Sequence, residues 1–323
     1  MKHLSIYLTL IWSIVVLSTA SCAVVPSTLR FTLNRWAEKA HGEPETAVQV
    51  KNITIPGPGG EIPLRIYTPE GSGPFPILVY FHGGGWVMGN LNTCNNTCHF
   101  FSNTIGCIVI SVDYRLAPKH KFPAAVEDAY TATRWAAEHA AEINGDSSRI
   151  AVAGESAGGN LAAAVCLMAQ DLGGPPLVFQ LLAYPATNLA TLETNSYRNF
   201  AKGYGLTKFH VEWFRKQYLA DKKDRKNPYA SPLLAEDISN VPPALVITGE
   251  FDVVRDDGEM YVGRLKEAGV EARFIRYADK GHMAHWRNSS GKAGDAQYQI
   301  SFALQAVFQT KKEALRDNCL NCP

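Results

Sequence analysis

Ile150-Ala151-Val152-Ala153-Gly154-Glu155-Ser156-Ala157-Gly158-Gly159-Asn160-Leu161-Ala162-Ala163-Ala164 runs from one kind of structure straight into another. Its first four residues form a short apolar run without alternation, the pattern of a strand buried on both faces. From residue 157 to 171 the chain is rich in alanine and leucine and reads as a helix. A single serine stands between them in the spacing G-x-S-x-G. A strand that turns abruptly into a helix forces its corner residue into strained backbone and leaves no room for neighbouring side chains. Glycines at 154 and 158 meet that demand and leave the serine hydroxyl accessible, so Ser156 is the candidate nucleophile. The spacing alone is common by chance, and the strand and helix around it give it meaning.

The same texture extends to both sides. Apolar runs without alternation occupy residues 77–81, 108–112, 177–183 and 244–247, and helix-like stretches such as 124–141 lie between them. Such alternation predicts a mostly parallel central sheet with helices on both faces. Before it, residues 48–53 and 62–67 alternate apolar with polar around Pro56-Gly57-Pro58-Gly59-Gly60, which predicts an antiparallel hairpin at a sheet edge. Residues 272–277 read as the last strand and 294–315 as a closing helix. Residues 186–232 break the rhythm with Tyr197, Phe200, Tyr204, Phe209, Trp213, Phe214 and Tyr218. An insert there should cap the carboxyl ends of the strands, where open α/β sheets bind ligands. A short amphipathic helix over 27–42, with Leu29, Leu33 and Trp36, should join it. The expected organisation is a leader over 1–22, an N-terminal cap segment over 23–45 and a core over 46–185 and 233–315. The cap insert takes 186–232, and a cysteine-containing tail takes 316–323.

With 323 residues, 46% of them hydrophobic and 19% charged, the composition is that of a globular protein. A formal net charge of +1 gives no electrostatic case for a nucleic-acid partner. Lys2 and His3 precede an apolar run over 4–17, and Ser18-Thr19-Ala20-Ser21-Cys22 follows it. This describes an export signal, too short for an easy membrane span of about 20 residues. Lipidation of Cys22 after cleavage, plain cleavage after Ala20 or Ala23, and a retained membrane anchor all fit. The protein is accordingly expected to be periplasmic, secreted or anchored as a lipoprotein. Cys107 and Cys166 lie in apolar runs and read as buried free thiols, whereas Cys94, Cys98, Cys319 and Cys322 read as two disulfides of unspecified pairing in preference to a metal site.

A serine hydroxyl needs a base, and the base needs an orienting acid. Residues 244–247 run into Thr248-Gly249-Glu250-Phe251-Asp252, which makes Asp252 the leading acid, with Glu250, Asp256 and Asp257 as rivals. After the last strand, Lys280-Gly281-His282-Met283-Ala284-His285 offers His282 as base, with His285 second. His82-Gly83-Gly84-Gly85 follows residues 77–81 directly. Consecutive glycines let backbone N–H groups face a developing oxyanion, one donor being worth roughly 3 to 4 kcal/mol. Gly83, Gly84 and Ala157 are the expected donors. No Lys-Ser/Thr follows, so the glycines are not a phosphate-binding P-loop. His82, at the strand end, reads as structural.

Those motifs, together with Asp113-Tyr114-Arg115-Leu116-Ala117-Pro118, Phe122-Pro123-Ala124-Ala125-Val126-Glu127-Asp128, Ser231-Pro232-Leu233 and Phe251-Asp252-Val253-Val254-Arg255-Asp256, resemble the hormone-sensitive-lipase-like family of esterases over about residues 45–310. The resemblance implies an α/β-hydrolase fold with a cap, and hydrolysis of short- to medium-chain acyl or aryl esters with no cofactor and no metal. It implies the same triad, Ser156, Asp252 and His282, the same donors, Gly83, Gly84 and Ala157, and a homodimer as one assembly. One departure stands out: the family has His-Gly-Phe where this chain has His282-Met283-Ala284. Two other readings keep the fold. One changes the bond, to deacetylation of an amide or an acetylated small molecule. The other gives up the chemistry for ligand binding alone.

Overall fold

A computed structural model of the chain describes residues 34, 48–283 and 296–309. Its centre is an eight-stranded sheet in the order β1-β2-β4-β3-β5-β6-β7-β8. The strands are β1 (Gln49–Gly57), β2 (Gly60–Thr68), β3 (Phe75–Phe81), β4 (Ile108–Val112), β5 (Gly145–Glu155), β6 (Phe179–Ala183), β7 (Ala244–Gly249) and β8 (Ala272–Tyr277). β1 and β2 form the expected antiparallel hairpin, and β2 pairs antiparallel with β4. From β4 through β3 and on to β8 every neighbour is parallel.

The central strands β3, β4, β6 and β7 lack sequence alternation because both faces are buried. Ile77, Val79 and Phe81 of β3 face one apolar cluster, while Leu78 and Tyr80 face the other. On the first face lie α2 (Ala124–Glu138), α3 (Ala157–Asp171) and α6 (Arg255–Glu267). On the second lie α1 (Asn95–Phe101) and α7 (Ala296–Phe308). Each fully buried aliphatic side chain contributes roughly 1.5–3 kcal/mol, so the two layers together fix the register of the sheet. In α3 every residue from Ala157 to Met168 is buried, which explains its small side chains.

The insert between β6 and β7 contains α4 (Asn195–Asn199) and α5 (Lys208–Tyr218). It folds onto the loop that follows β3. Tyr218 stacks on Trp86 at 4.5 Å and 4°. Lys121 Nζ grips the end of α5 by donating to the carbonyls of Lys216 (3.1 Å), Gln217 (2.5 Å) and Leu219 (3.4 Å). A cation at the carboxyl end of a helix is well placed against its dipole.

The cysteine reading needs a correction. Cys94 and Cys98 are free and buried, not half of two disulfides. They sit at the start of α1 and one turn into it, turned toward the sheet, and Cys94 Sγ lies 3.2 Å from Ser111 Oγ. The polar residues between them had suggested an exposed loop, but a helix puts both thiols on its buried side. Cys107 and Cys166 are free and buried as expected. Cys22, Cys319, Cys322, His285, the leader and the tail lie outside the described residues. So does the expected helix over 27–42, apart from Asn34, whose Oδ1 accepts from Gly89 N–H at 3.2 Å. Among the described residues no helix is long and apolar enough to cross a membrane.

Candidate active site

Ser156 stands at the corner between β5 and α3 with φ 56° and ψ −115°, a backbone region that L-residues rarely occupy. Its N–H donates to Ala183 O at 2.8 Å, which anchors the corner to β6. The loops after β7 and β8 bring the other two groups. They are tied together by Glu250 N–H donating to Tyr277 O (2.9 Å) and Phe251 N–H to Lys280 O (2.8 Å).

Asp252, 1% exposed, accepts from Val254 N–H through Oδ1 (3.0 Å), and its Oδ2 lies 2.8 Å from His282 Nδ1. An ionised carboxylate can only accept, so Nδ1 carries the proton. His282 Nε2 is then an acceptor, and it lies 3.0 Å from Ser156 Oγ. Tyr184 packs edge-on against the imidazole at 5.7 Å and 71°. The structure thus brings Ser156, His282 and Asp252 into one hydrogen-bonded chain. The rival acids serve elsewhere. Asp257 is fully buried beside the Tyr197 hydroxyl, and burial pushes its carboxyl well above the usual range. Asp256 accepts from Ser196 N–H and Arg255, and Glu250 from Asp279 N–H.

The glycine loop is held peptide by peptide. Gly83 N–H donates to Glu155 Oε1 at 2.8 Å. Gly83 O accepts from His82 Nδ1 at 2.8 Å. Gly84 O accepts from Val87 N–H (3.1 Å) and Met88 N–H (3.0 Å). In a trans peptide the N–H points opposite to the C=O. Fixing the Gly83 and Gly84 carbonyls therefore fixes the directions of the Gly84 and Gly85 N–H groups. This corrects the sequence reading at one residue. Gly83 cannot serve as a free donor, because its N–H already donates to Glu155. The Gly84, Gly85 and Ala157 amides have no partner among the described residues. At Gly85 the Phe214 ring of α5 packs so closely that a Cβ would stand 2.3 Å from it, with φ at +62°.

His82 is structural, as expected. It is fully buried and stacked on Tyr114 at 4.3 Å and 15°. Tyr114 donates to its carbonyl at 2.6 Å. Burial lowers its pKa from 6.5 to about 4, so the ring stays neutral. The neighbouring Arg115 forms a forked ion pair with the buried Asp128, from Nε (2.8 and 3.0 Å) and Nη2 (2.8 Å). These contacts explain why the 113–118 and 122–128 segments matter without touching the reaction. Met283 takes φ 57°, a left-handed conformation that suits glycine, with its side chain 7% exposed. Among the described residues no three His, Cys, Asp or Glu side chains gather at metal-binding range.

Sequence reasoning missed Gly85, Tyr184 and the pair Tyr80–Glu155. Gly85 was visible as the third glycine of the loop, but the other residues carry no local signature. The assembled groups can relay a proton from a hydroxyl to an imidazole while fixed amides receive an oxyanion, which is the equipment of acyl transfer.

Comparison with known proteins agrees. Residues 78–286 match the family described as alpha/beta hydrolase fold. The carboxylic ester hydrolase LipN of Mycobacterium tuberculosis is 45% identical over 271 residues, 81% of this chain and 72% of that protein. An arylesterase of Saccharolobus solfataricus is 43% identical over 250 residues, 77% of this chain and 80% of that protein. Among solved structures, an esterase of Pyrobaculum calidifontis superposes with TM-score 0.80 at 42% identity, covering 86% of this chain and 92% of that one.

Proposed function

Since the chain belongs to the hormone-sensitive-lipase-like family of α/β-hydrolases and is a carboxylic ester hydrolase, we propose that it cleaves short- to medium-chain acyl or aryl esters through an acyl-enzyme on Ser156. Ser156 Oγ attacks the ester carbonyl while His282 Nε2 takes its proton, and Asp252 holds the imidazole in the required tautomer. The negative charge on the carbonyl oxygen rests on the Gly84, Gly85 and Ala157 amides. His282 returns the proton to the departing alcohol. Water, activated by the same imidazole, then releases the acid from Ser156.

The observation that carries this reading is the hydrogen-bonded line Ser156 Oγ–His282–Asp252, at 3.0 and 2.8 Å, beside amides left unpartnered. A p-nitrophenyl ester series from acetyl to palmitoyl, run beside Ser156→Ala, tests it. Activity that peaks at the shorter chains and vanishes in the variant is the expected result. A folded Ser156→Ala protein that keeps the parent rate would remove Ser156 from the role. Faster cleavage of matched amides would move the substrate class to acylated amines.

The reading extends to export, with Cys22 as lipid attachment point, supported by the basic, apolar and small-residue order of residues 1–22. The mass of the mature N-terminus decides it. A homodimer would pair through the outer edge of β8, which has no partner strand among the described residues and carries the exposed Phe274. Sedimentation reads that assembly directly.

A further inference from the structure

Of the buried acids that the proposed cycle leaves unused, one adjoins the nucleophile in the chain. Glu155 is the variable position of the G-x-S-x-G turn, immediately before Ser156, and is 6% exposed. One of its oxygens accepts from Gly83 N–H at 2.8 Å, and the other accepts from the Tyr80 hydroxyl. Tyr80 is fully buried on β3, and burial, reinforced by the carboxylate beside it, pushes its phenol far above its ordinary range. It is therefore a permanent donor to Glu155. The fit is close on the glycine side as well. A Cβ at Gly83 would stand 2.9 Å from Glu155 O and 3.1 Å from its Cγ.

A buried carboxylate near a site where negative charge develops is an unfavourable choice for packing alone. An apolar side chain would fill the space without repelling the oxyanion. What the carboxylate adds is two charge-assisted hydrogen bonds, which are shorter and more directional than neutral ones. They join two parts of the site that come from different strands. The residue before the nucleophile grips the amide that begins the glycine loop. His82 and the Val87 and Met88 amides orient the next two peptides of that loop. Glu155 ties the start of the loop to the serine corner itself.

We propose that Glu155, fixed by Tyr80, is a positioning residue that sets where the Gly84 and Gly85 amides stand relative to Ser156 Oγ in the transition state. The proposal rests on the acyl-transfer reading above. A misplacement of about 1 Å in a catalytic site can cost roughly a hundredfold in rate. Glu155→Ala is therefore expected to lower kcat about ten- to hundredfold with KM little changed, the signature of an interaction made only in the transition state. Tyr80→Phe, which removes one donor to the carboxylate, loses a smaller part. Glu155→Gln keeps an acceptor for Gly83 and lets the Tyr80 hydroxyl turn to accept, so it restores most of the rate.

Three readouts separate positioning from plain destabilisation. Active-site titration with a p-nitrophenyl phosphonate counts competent molecules, and kcat is expressed per titrated site. Affinity for an alkyl boronic acid, which becomes tetrahedral and anionic on Ser156, is expected to fall in step with kcat/KM. The Glu155→Gln rescue is the third. Wild-type kcat per site in both Glu155→Ala and Tyr80→Phe would overturn the proposal, as would unchanged boronic-acid affinity in a slow variant. If Glu155→Ala does not fold, Tyr80→Phe and Glu155→Gln decide the matter by the same readouts. Ser156→Ala run in parallel keeps the two levels apart. A dead Ser156→Ala beside fully active Glu155 variants sinks this proposal alone, whereas an active Ser156→Ala sinks the reading beneath it.

Discussion

Gly158→Ala adds one carbon where the protein has no room for it. The new Cβ would stand 1.9 Å from Phe81 O, 2.6 Å from Phe81 C and 2.7 Å from His82 O, all backbone atoms that cannot rotate away. Real Cβ contacts essentially never fall below 3.0 Å. The start of α3 and the end of β3 must therefore part by about 1 Å, because close-packed interiors offer no slack. That gap opens in a sensitive place. The end of β3 carries the glycine loop, and the start of α3 carries Ser156 and Ala157. The displacement falls between the nucleophile and the amides, so kcat should drop by roughly a hundredfold, about 2.7 kcal/mol of barrier. Stability should fall too, by about 1–3 kcal/mol for an overpacked site. The assay is p-nitrophenyl butyrate hydrolysis per titrated active site, well below the unfolding temperature of the variant. A folded Gly158→Ala protein turning over at the parent rate would show that the separation of strand and helix does not govern the reaction.

Other expectations follow from the same geometry. Asp252→Asn removes the acceptor that fixes the His282 tautomer and should lower kcat by about 10⁴ while the fold stays intact; an active Asp252→Asn protein would disqualify the residue. Met283→Gly releases about 1–2 kcal/mol of left-handed strain but gives up a buried side chain worth about 2–5 kcal/mol, so the variant should unfold at lower urea. A higher midpoint would mean that the side chain contributes no packing. Burial holds His82 near pKa 4 in the fold, against 6.5 for an ordinary histidine. Between these values the unfolded chain binds the extra proton. The contribution of His82 to stability is therefore complete above about pH 6.5 and is lost as pH falls toward 4, by at most on the order of 3 kcal/mol. Urea midpoints across pH 4–7, compared between the parent and His82→Asn, read that contribution as a difference of slopes.

Much of the site was legible because its residues sit at strand ends with local signatures. Ser156 is announced by a strand, two glycines and a helix, Asp252 follows an apolar run, and His282 follows the last strand. These patterns are short-range, so one sequence suffices to read them. What the sequence hid depends on partners far along the chain. Which glycine amide is free was decided by Glu155, 72 residues beyond Gly83, and nothing in a run of three glycines reveals that. Cys94 and Cys98 looked like loop residues because Asn-Asn-Thr separates them, yet one helical turn and a sheet to pack on were enough to bury both. The departure at Met283 was visible as a missing glycine. Its physical meaning, a strained φ beside a buried side chain, needed the backbone.

The amides offered to the oxyanion belong to the main chain, and the Gly84 and Gly85 N–H groups are aimed by hydrogen bonds made behind them. Phe214, packed against Gly85, and Tyr218, stacked on Trp86, belong to the insert between β6 and β7, whose outer residues are exposed or half-buried. Reaction and selectivity are thus written in different materials. The outer part of the insert can drift by substitution, admitting bulkier or more polar esters, while the backbone that receives the charge stays as it was. A library confined to residues 199–209, none of them buried, should accordingly yield new substrate ranges far more often than dead enzymes, whereas the same mutational load on residues 82–89, or on the Phe214 and Tyr218 that pack against them, should do the reverse.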